Sequence, residues 1–322
     1  MRKWLLASVV LLAGGFSAAS AQDYPTRNIT MMIPFAAGGP TDTVGRLIAE
    51  SMAKTLGKTI VVENLAGAGG TRAPGQLAKS EPDGYTILLH HIGMSTAPTL
   101  YRKLPFNPLE FETVGLVTDA PMSLISRPNL EAKNFGELLA YIKTQRDKIS
   151  LGNAGVGAAS HLCGMLLMSA MDVPMTTIPY NGTGPAMTDL LGGQIDLMCD
   201  QTTNTTSHIK SGKVKAFGVT TKARVKNMPE IPTLDEAGLK GFEVAVWHGV
   251  YAPKGTPKAV IAKLSSALQA ALRDEKVIAR FADLGTEPVS QAEATPEAHK
   301  KKLAAEIERW RPLIQKAGVY AD

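Results

Sequence analysis

Two glycine-rich breaks constrain this chain more than any other feature. The first reads Pro34-Phe35-Ala36-Ala37-Gly38-Gly39-Pro40-Thr41-Asp42, and the second reads Gly152-Asn153-Ala154-Gly155-Val156-Gly157-Ala158-Ala159-Ser160. Each follows a short apolar run and opens a stretch of helical periodicity, the strand-turn-helix unit of a sheet covered by helices. The first N–H groups of such a helix have no partner within it. Together with the helix dipole they make a site for an anion. The competing reading is that the glycines only permit tight turns. One exposed helix terminus contributes only ~0.3–1 kcal/mol, whereas micromolar binding requires ~8 kcal/mol. An anion site therefore needs several N–H groups, hydroxyls and enclosure acting together.

The same rhythm runs along most of the chain. Apolar runs at 29–34, 59–63 and 85–90 read as strands, with helices at 44–56 and from the glycines at 67–70 to about 79. After a gap, strands are expected at 122–126, 149–153, 176–179, 195–199 and 214–220. Helices are expected at 135–144, 161–170, 184–192 and 202–211. Residues 242–252 are rich in β-formers, and the tail is helical at 257–271, 275–284 and 296–317. In the last helix Leu303, Ile307, Trp310 and Ile314 share one apolar face. The expected architecture is α/β and two-lobed, each lobe a mostly parallel sheet flanked by helices. Residues 22–121 and 247–322 would form one lobe and 122–246 the other, with linkers near Asp119-Ala120-Pro121 and Val246. Ligands of such bodies sit in the cleft, at the carboxyl ends of strands.

The leading segment is of another kind. Met1-Arg2-Lys3 is positive, residues 4–16 are almost wholly apolar, and Ala19-Ser20-Ala21 has the small-x-small pattern of a signal-peptidase site. This predicts a secretory signal peptide over 1–21, cut before Gln22. The apolar run is shorter than the ~20 residues that span a bilayer. The full chain of 322 residues is 44% hydrophobic and 20% charged, with a formal charge of +5 that becomes +3 without Arg2 and Lys3. That excludes disorder and suits an anionic ligand. Nucleic acid is not an expected partner, because the basic residues are scattered without an aromatic-basic stripe. Two cysteines, Cys163 and Cys199, match no zinc pattern. Export makes a bridge between them chemically possible, and the sequence leaves the pairing open.

Signals for catalysis are thin. There is no G-x-S-x-G, no H-E-x-x-H and no phosphate-binding lysine loop. Gly67-Ala68-Gly69-Gly70-Thr71-Arg72 resembles a dinucleotide turn, but Arg72 stands where the third glycine belongs. His90 and His91 are adjacent, so on a strand at most one faces a cleft. His161 at a helix start reads as a packing or capping group, and Asp42 and Asp200 as residues serving helix dipoles. No metal or cofactor is expected.

The ordered motifs resemble the Bug family of periplasmic receptors for tripartite tricarboxylate transporters. They are Tyr24-Pro25-Thr26-Arg27, Ile33 through Gly39, Val61-Val62-Glu63-Asn64, Gly67 through Gly70, and Pro82-Asp83-Gly84-Tyr85. Later come Ser160-His161-Leu162, Pro179-Tyr180-Asn181-Gly182, Asp189 through Gly193, Pro232-Thr233, and Ala252-Pro253-Lys254-Gly255-Thr256-Pro257. The resemblance implies a periplasmic-binding-protein fold (type II-like) that captures a carboxylate and passes it to a membrane permease. It implies a monomer that does no chemistry. The carboxylate is expected on the loops Phe35, Ala36, Ala37, Gly38, Gly39, Thr41 and Asp42 of one lobe and Asn153, Ala154, Gly155, Gly157 and Ser160, with His161, of the other. Tyr180, Asn181 and Asp200 are expected to line the cleft, and His91, Ser95 and Thr96 to choose the far end of the ligand. A ligand-sensing co-receptor and a periplasmic enzyme acting on an organic acid are the alternatives.

Overall fold

The computed structural model describes residues 24–318, 320 and 321; the expected signal peptide lies outside them. The chain first lays down β1 (Ile29–Ile33), α1 (Pro40–Leu56), β2 (Ile60–Asn64), α2 (Arg72–Leu77), β3 (Thr86–His91) and α3 (Gly93–Leu100). The long strand β4 (Glu112–Ser126) follows. Beyond it come α4 (Phe135–Gln145), β5 (Ser150–Asn153), α5 (Ala159–Met171), β6 (Thr176–Pro179), α6 (Thr183–Leu191), β7 (Leu197–Gln201), α7 (Thr202–Lys210) and β8 (Lys215–Val219). The chain returns through β9 (Ala245–Ala252) and ends in α8 (Lys258–Ala271), α9 (Glu275–Asp283) and α10 (Pro296–Ala317).

Strand order is β2-β1-β3-β9-β4-β7-β5-β6, with β8 beside β4. Read from its middle outward, this order is a palindrome. β9 and β4 form the centre, β3 matches β7, β1 matches β5 and β2 matches β6. The outer strands on both sides pair in parallel. The central ones pair antiparallel, because one carries the chain out of the first lobe and the other brings it back. The lobes are thus related by topology, although the sequence has no repeat of fixed period.

β4 changes partners in mid-strand. Its residues up to Pro121 pair with β9, and from Met122 they pair with β7 and β8. The expected linker at Asp119-Ala120-Pro121 is therefore strand interior, paired with Trp247, Val246 and Ala245. An acid followed by proline reads as a break. Here the buried residues Val117, Ala120, Met122 and Leu124 hold the strand continuous. Helix α3 was not expected either, since Gly93 and Pro98 lie in its eight residues and both lower helix propensity. Burial of Met94, Ala97 and Leu100 stabilises it, and it packs against α10.

One core packs α1, α8 and α9 on the first sheet through Ile48, Met52, Leu264 and Phe281. Another runs from Leu88 and Leu77 through Tyr251 and Trp247 into Leu124, Leu151 and Leu167 of the second lobe. Leu303, Ile307, Trp310 and Ile314 of α10 are buried together in it. Cys163 and Cys199 form a disulfide with Cα atoms 6.0 Å apart, joining α5 to β7. Among the described residues no helix is long and apolar enough to cross a membrane.

Candidate functional site

The two lobes meet along a closed seam built from four turns, two from each. The turn after β1 meets the turn after β6: the Ala36 N–H donates to the carbonyl of Asn181 at 2.8 Å. Gly182 makes this approach possible, since its φ is +151° and a Cβ there would lie 3.0 Å from the Ala36 nitrogen. Reciprocally, the turn after β2 meets the turn after β5. The Tyr101 hydroxyl stands 2.8 Å from the carbonyls of Ala68 and Val156, one in each lobe. Thr96 reaches across to the carbonyl of Gly157 at 3.2 Å. Phe35 packs on Ala154 and Ala158 of the opposite lobe and stacks on His91 with ring centroids 4.8 Å apart.

Behind this seam lies a small buried cavity. The starts of α1 (Pro40, Thr41), α5 (Ala159, Ser160) and α6 (Thr183) reach it, as does the end of β7 (Asp200, Gln201). Phe35, His91 and Ala154 close it. Its volume of about 10 Å³ suits one water molecule, so anything larger must enter with the lobes further apart. A far larger groove, about 1190 Å³, follows the outer edge of the seam between Tyr101 and Tyr180. That groove is open to solvent, whereas the buried polar groups gather at the inner cavity; the candidate site is placed there.

Several N–H groups of the glycine-rich loops are already engaged within their own loops. Gly38 donates its N–H to Asp42 Oδ2 at 3.0 Å. Ala154 donates to Ser160 Oγ at 2.9 Å and Gly155 to Asn153 Oδ1 at 2.9 Å. Gly157 donates to His161 Nδ1 at 3.3 Å, so His161 braces the turn. Short polar side chains within or just after each loop satisfy its backbone, as Asx-type turns do. The donors left for an anion include the first-turn N–H groups of the helices, which no carbonyl of the same helix reaches. Ala37 and Gly38 themselves are exposed at the tip of their loop, away from the cavity.

Asp42 is likewise committed within its own lobe. It accepts from Gly38, from Arg46 Nε at 3.0 Å and from Asn64 Nδ2 at 2.9 Å. Burial opposes its ionisation, but the hydrogen bonds from Arg46, the Gly38 N–H and Asn64 outweigh it and hold the carboxyl below its ordinary range. Ser95 is turned back to the Ile92 carbonyl at 2.6 Å, and neither it nor Thr96 lines the cavity. Tyr180 faces the outer groove and donates to Asp189 Oδ2 at 2.7 Å. Burial, then Asp189, pushes its hydroxyl up to about 12. Asn181 meets the first lobe through its backbone alone.

His91 and Asp200 do face the cavity. His91 accepts from the Gly93 N–H at 2.9 Å. Burial, with His90 and His248 nearby, holds its ring well below the ordinary range, so it is neutral. His90 turns the other way, to the carbonyl of Gly70 at 3.0 Å. Asp200 is 1% exposed. It accepts from Asn204 Nδ2 at 2.6 Å, and burial raises its carboxyl to about 6.

Over residues 44–319 the chain matches the family described as the tripartite tricarboxylate transporter family receptor. This chain belongs to that receptor family. The fold of the receptor matches the periplasmic binding protein BugD at a TM-score of 0.90 with 56% identity, over 92% of this chain and 99% of that one. It matches MatC of Rhodopseudomonas palustris, solved with bound malate, at 0.87 with 40% identity, over 90% and 100%. In sequence the receptor is 53% identical over 302 residues to a UPF0065 protein from the TAR-I ttuE-ttuC' intergenic region of Agrobacterium vitis, covering 93% of this chain and 87% of that protein. The receptor is a solute-binding protein with the two-lobed α/β fold of its relatives.

Four cavity residues of the receptor stand outside the expected site set: Pro40, Ala159, Thr183 and Gln201. Thr183 opens a helix directly after the Asn181-Gly182 turn, a signal of the same kind as those at Thr41 and Ser160. Gln201 sits two residues beyond Cys199, at the end of a strand whose expected limit was that cysteine. Its Oε1 is buried without a hydrogen-bond partner.

Proposed function

We propose that this receptor works in the periplasm, closes its lobes on a small organic acid and passes it unchanged to a tripartite-type permease. The observation that carries the reading is the convergence of the α1, α5 and α6 starts on one buried cavity behind the seam. Helix starts from both lobes supply donors and positive dipole ends to one negative group only when the lobes are together. Capture and closure are then the same event. MatC, with its bound malate, supports a carboxylate as that group.

Residues 22–121 with 247–322, and 122–246, are the moving bodies, and the paired strands β4 and β9 are the hinge between them. Export through a signal peptide cut before Gln22 accords with the disulfide, which belongs to an oxidising compartment. The monomer is the binding unit, because the seam joins two parts of one chain. A thermal-shift screen of mono- and dicarboxylic acids tests the reading. An acid at about 100 times its Kd adds about 2.7 kcal/mol to the native state and raises Tm by several degrees. If no acid in a broad panel raises Tm, the reading fails.

A further inference from the structure

The cavity contains an arrangement that an anion site does not need. Asp200 is buried at the end of β7, in the same small space to which the helix starts turn their donors. One of its oxygens accepts from Asn204. On the next residue, Gln201 Oε1 is buried without a partner. Both residues line the cavity, opposite helix starts whose N–H groups would hold a carboxylate. The Thr183 side chain and the Gln201 N–H also stand against the Asp200 carboxyl, which still has acceptor capacity for one further donor.

No positive charge offsets them. Neither lysine nor arginine lines the cavity. On α1, Arg46 is engaged by Asp42 at 2.9 Å. From β3 the facing group is His91. From β9 it is His248, behind Thr41 at 3.3 Å. From α5 it is His161, and burial holds all three rings below their ordinary range. On α7, His208 is lowered by burial and by Lys213. On α6, Asp189 is taken by Tyr180. On β4 the nearest side chain is the hydroxyl of Ser123, at 3.4 Å from the Asp200 carbonyl. A second ligand carboxylate placed against Asp200 would meet a like charge in a space with little water, which is strongly unfavourable.

We propose that Asp200 is the specificity-determining residue of the cleft: with Gln201 it accepts a hydrogen bond from a hydroxyl or ammonium group of the ligand, beside the carboxylate held by the helix starts. The class of ligand is then a hydroxy or amino acid rather than an unsubstituted diacid. This rests on the functional reading above and narrows it. A site built around a hydrogen bond rejects the analogue that lacks the donor, because its own buried acceptors are left unpaired.

The test is calorimetry at pH 8 with succinate, malate and aspartate, which share a four-carbon diacid frame and differ in one substituent. Malate or aspartate is expected to bind at least tenfold more tightly than succinate. In Asp200→Asn that ratio should fall below threefold, with the ligand-free Tm no lower than in the native chain. A pH series on the native chain beside Asp200→Asn reads the same residue. Succinate should gain affinity between pH 8 and pH 6 in the native chain but not in Asp200→Asn, because a protonated Asp200 can donate to its carboxylate and the substituted chain corrects for the titration of succinate itself. Succinate binding within threefold of both relatives, or a ratio unchanged in Asp200→Asn, overturns the inference while leaving the functional reading intact. Binding of none of the three also overturns the inference for this frame, whereas the functional reading falls only if the broad acid panel fails as well.

Discussion

The hydroxyl of Tyr101 lies 2.8 Å from the carbonyl oxygen of Val156, so a side chain following α3 holds a turn of the opposite lobe. The same hydroxyl stands 2.8 Å from the carbonyl of Ala68 in its own lobe. It has one proton to give, and on opening it can return from Val156 to Ala68. Such a hydrogen bond contributes about 0.5–1.5 kcal/mol. Tyr101→Phe should therefore weaken ligand affinity by roughly 2- to 10-fold, with little change in the Tm of the ligand-free chain. Calorimetry beside thermal melting checks this; an equal loss in both would make Tyr101 a folding residue instead.

Gly69 offers a sharper probe of closure. Its φ of +58° is one that alanine adopts at a modest cost, about 1 kcal/mol. A Cβ there would overlap the carbonyl of Val156 across the seam, as well as the Tyr101 hydroxyl that bridges to it from its own lobe. Gly69→Ala should leave each lobe folded and prevent full closure. The expected result is an affinity loss of a hundredfold or more with a Tm shift of only a few degrees. Small-angle scattering should show the larger radius of the open form even at saturating acid. Undiminished binding would place the ligand somewhere other than behind the seam.

Stability should depend on pH in two opposed ways. Burial lowers His90 to about 4 and His248 and His299 to about 3. These rings are neutral in the folded chain and ordinary when unfolded. Their contribution is complete above about pH 6.5 and is lost as pH falls toward 4 and 3. Asp200 has the opposite sign. Raised to about 6, it contributes most below the ordinary carboxyl range near 4, and that contribution is lost as pH rises through 6. Asp200→Asn should thus stabilise the chain by about 1–3 kcal/mol at pH 8 and by nothing at pH 4. Chemical denaturation at the two pH values measures this, and an equal effect at both would contradict it.

The disulfide closes a loop of 36 residues, and both sulfur-bearing side chains are fully buried. Chain entropy assigns such a cross-link about 3–4 kcal/mol. Cys163→Ala with Cys199→Ala should lower stability by roughly 2–4 kcal/mol in denaturant titrations. Native protein should also resist mild reductant until it unfolds. The Cys199 end adjoins Asp200, so the doubly substituted chain should also bind acid more weakly. A variant of native stability would show that the bridge constrains little.

The strand-turn-helix units were legible because apolar runs and glycine breaks record them directly: β1, β5 and β6 lie within a residue or so of their expected limits. Continuity of β4 through Asp119-Ala120-Pro121 was not legible. Its cause is pairing with β9, more than a hundred residues away in sequence. The site was legible in part. Phe35, Thr41, Ser160 and Asp200 gather at one cavity, but which N–H groups remain free there depends on where Asp42, Asn153, Ser160 and His161 point. Those directions are set by folded geometry and leave no mark in composition or spacing.

The most direct test of the account is a pair of calorimetric titrations at pH 8, one with a bound acid such as malate and one with its diamide. The account predicts that the acid binds at least a hundredfold more tightly, because the amide has no charge for the converging helix starts. Equal affinity of acid and diamide would contradict it.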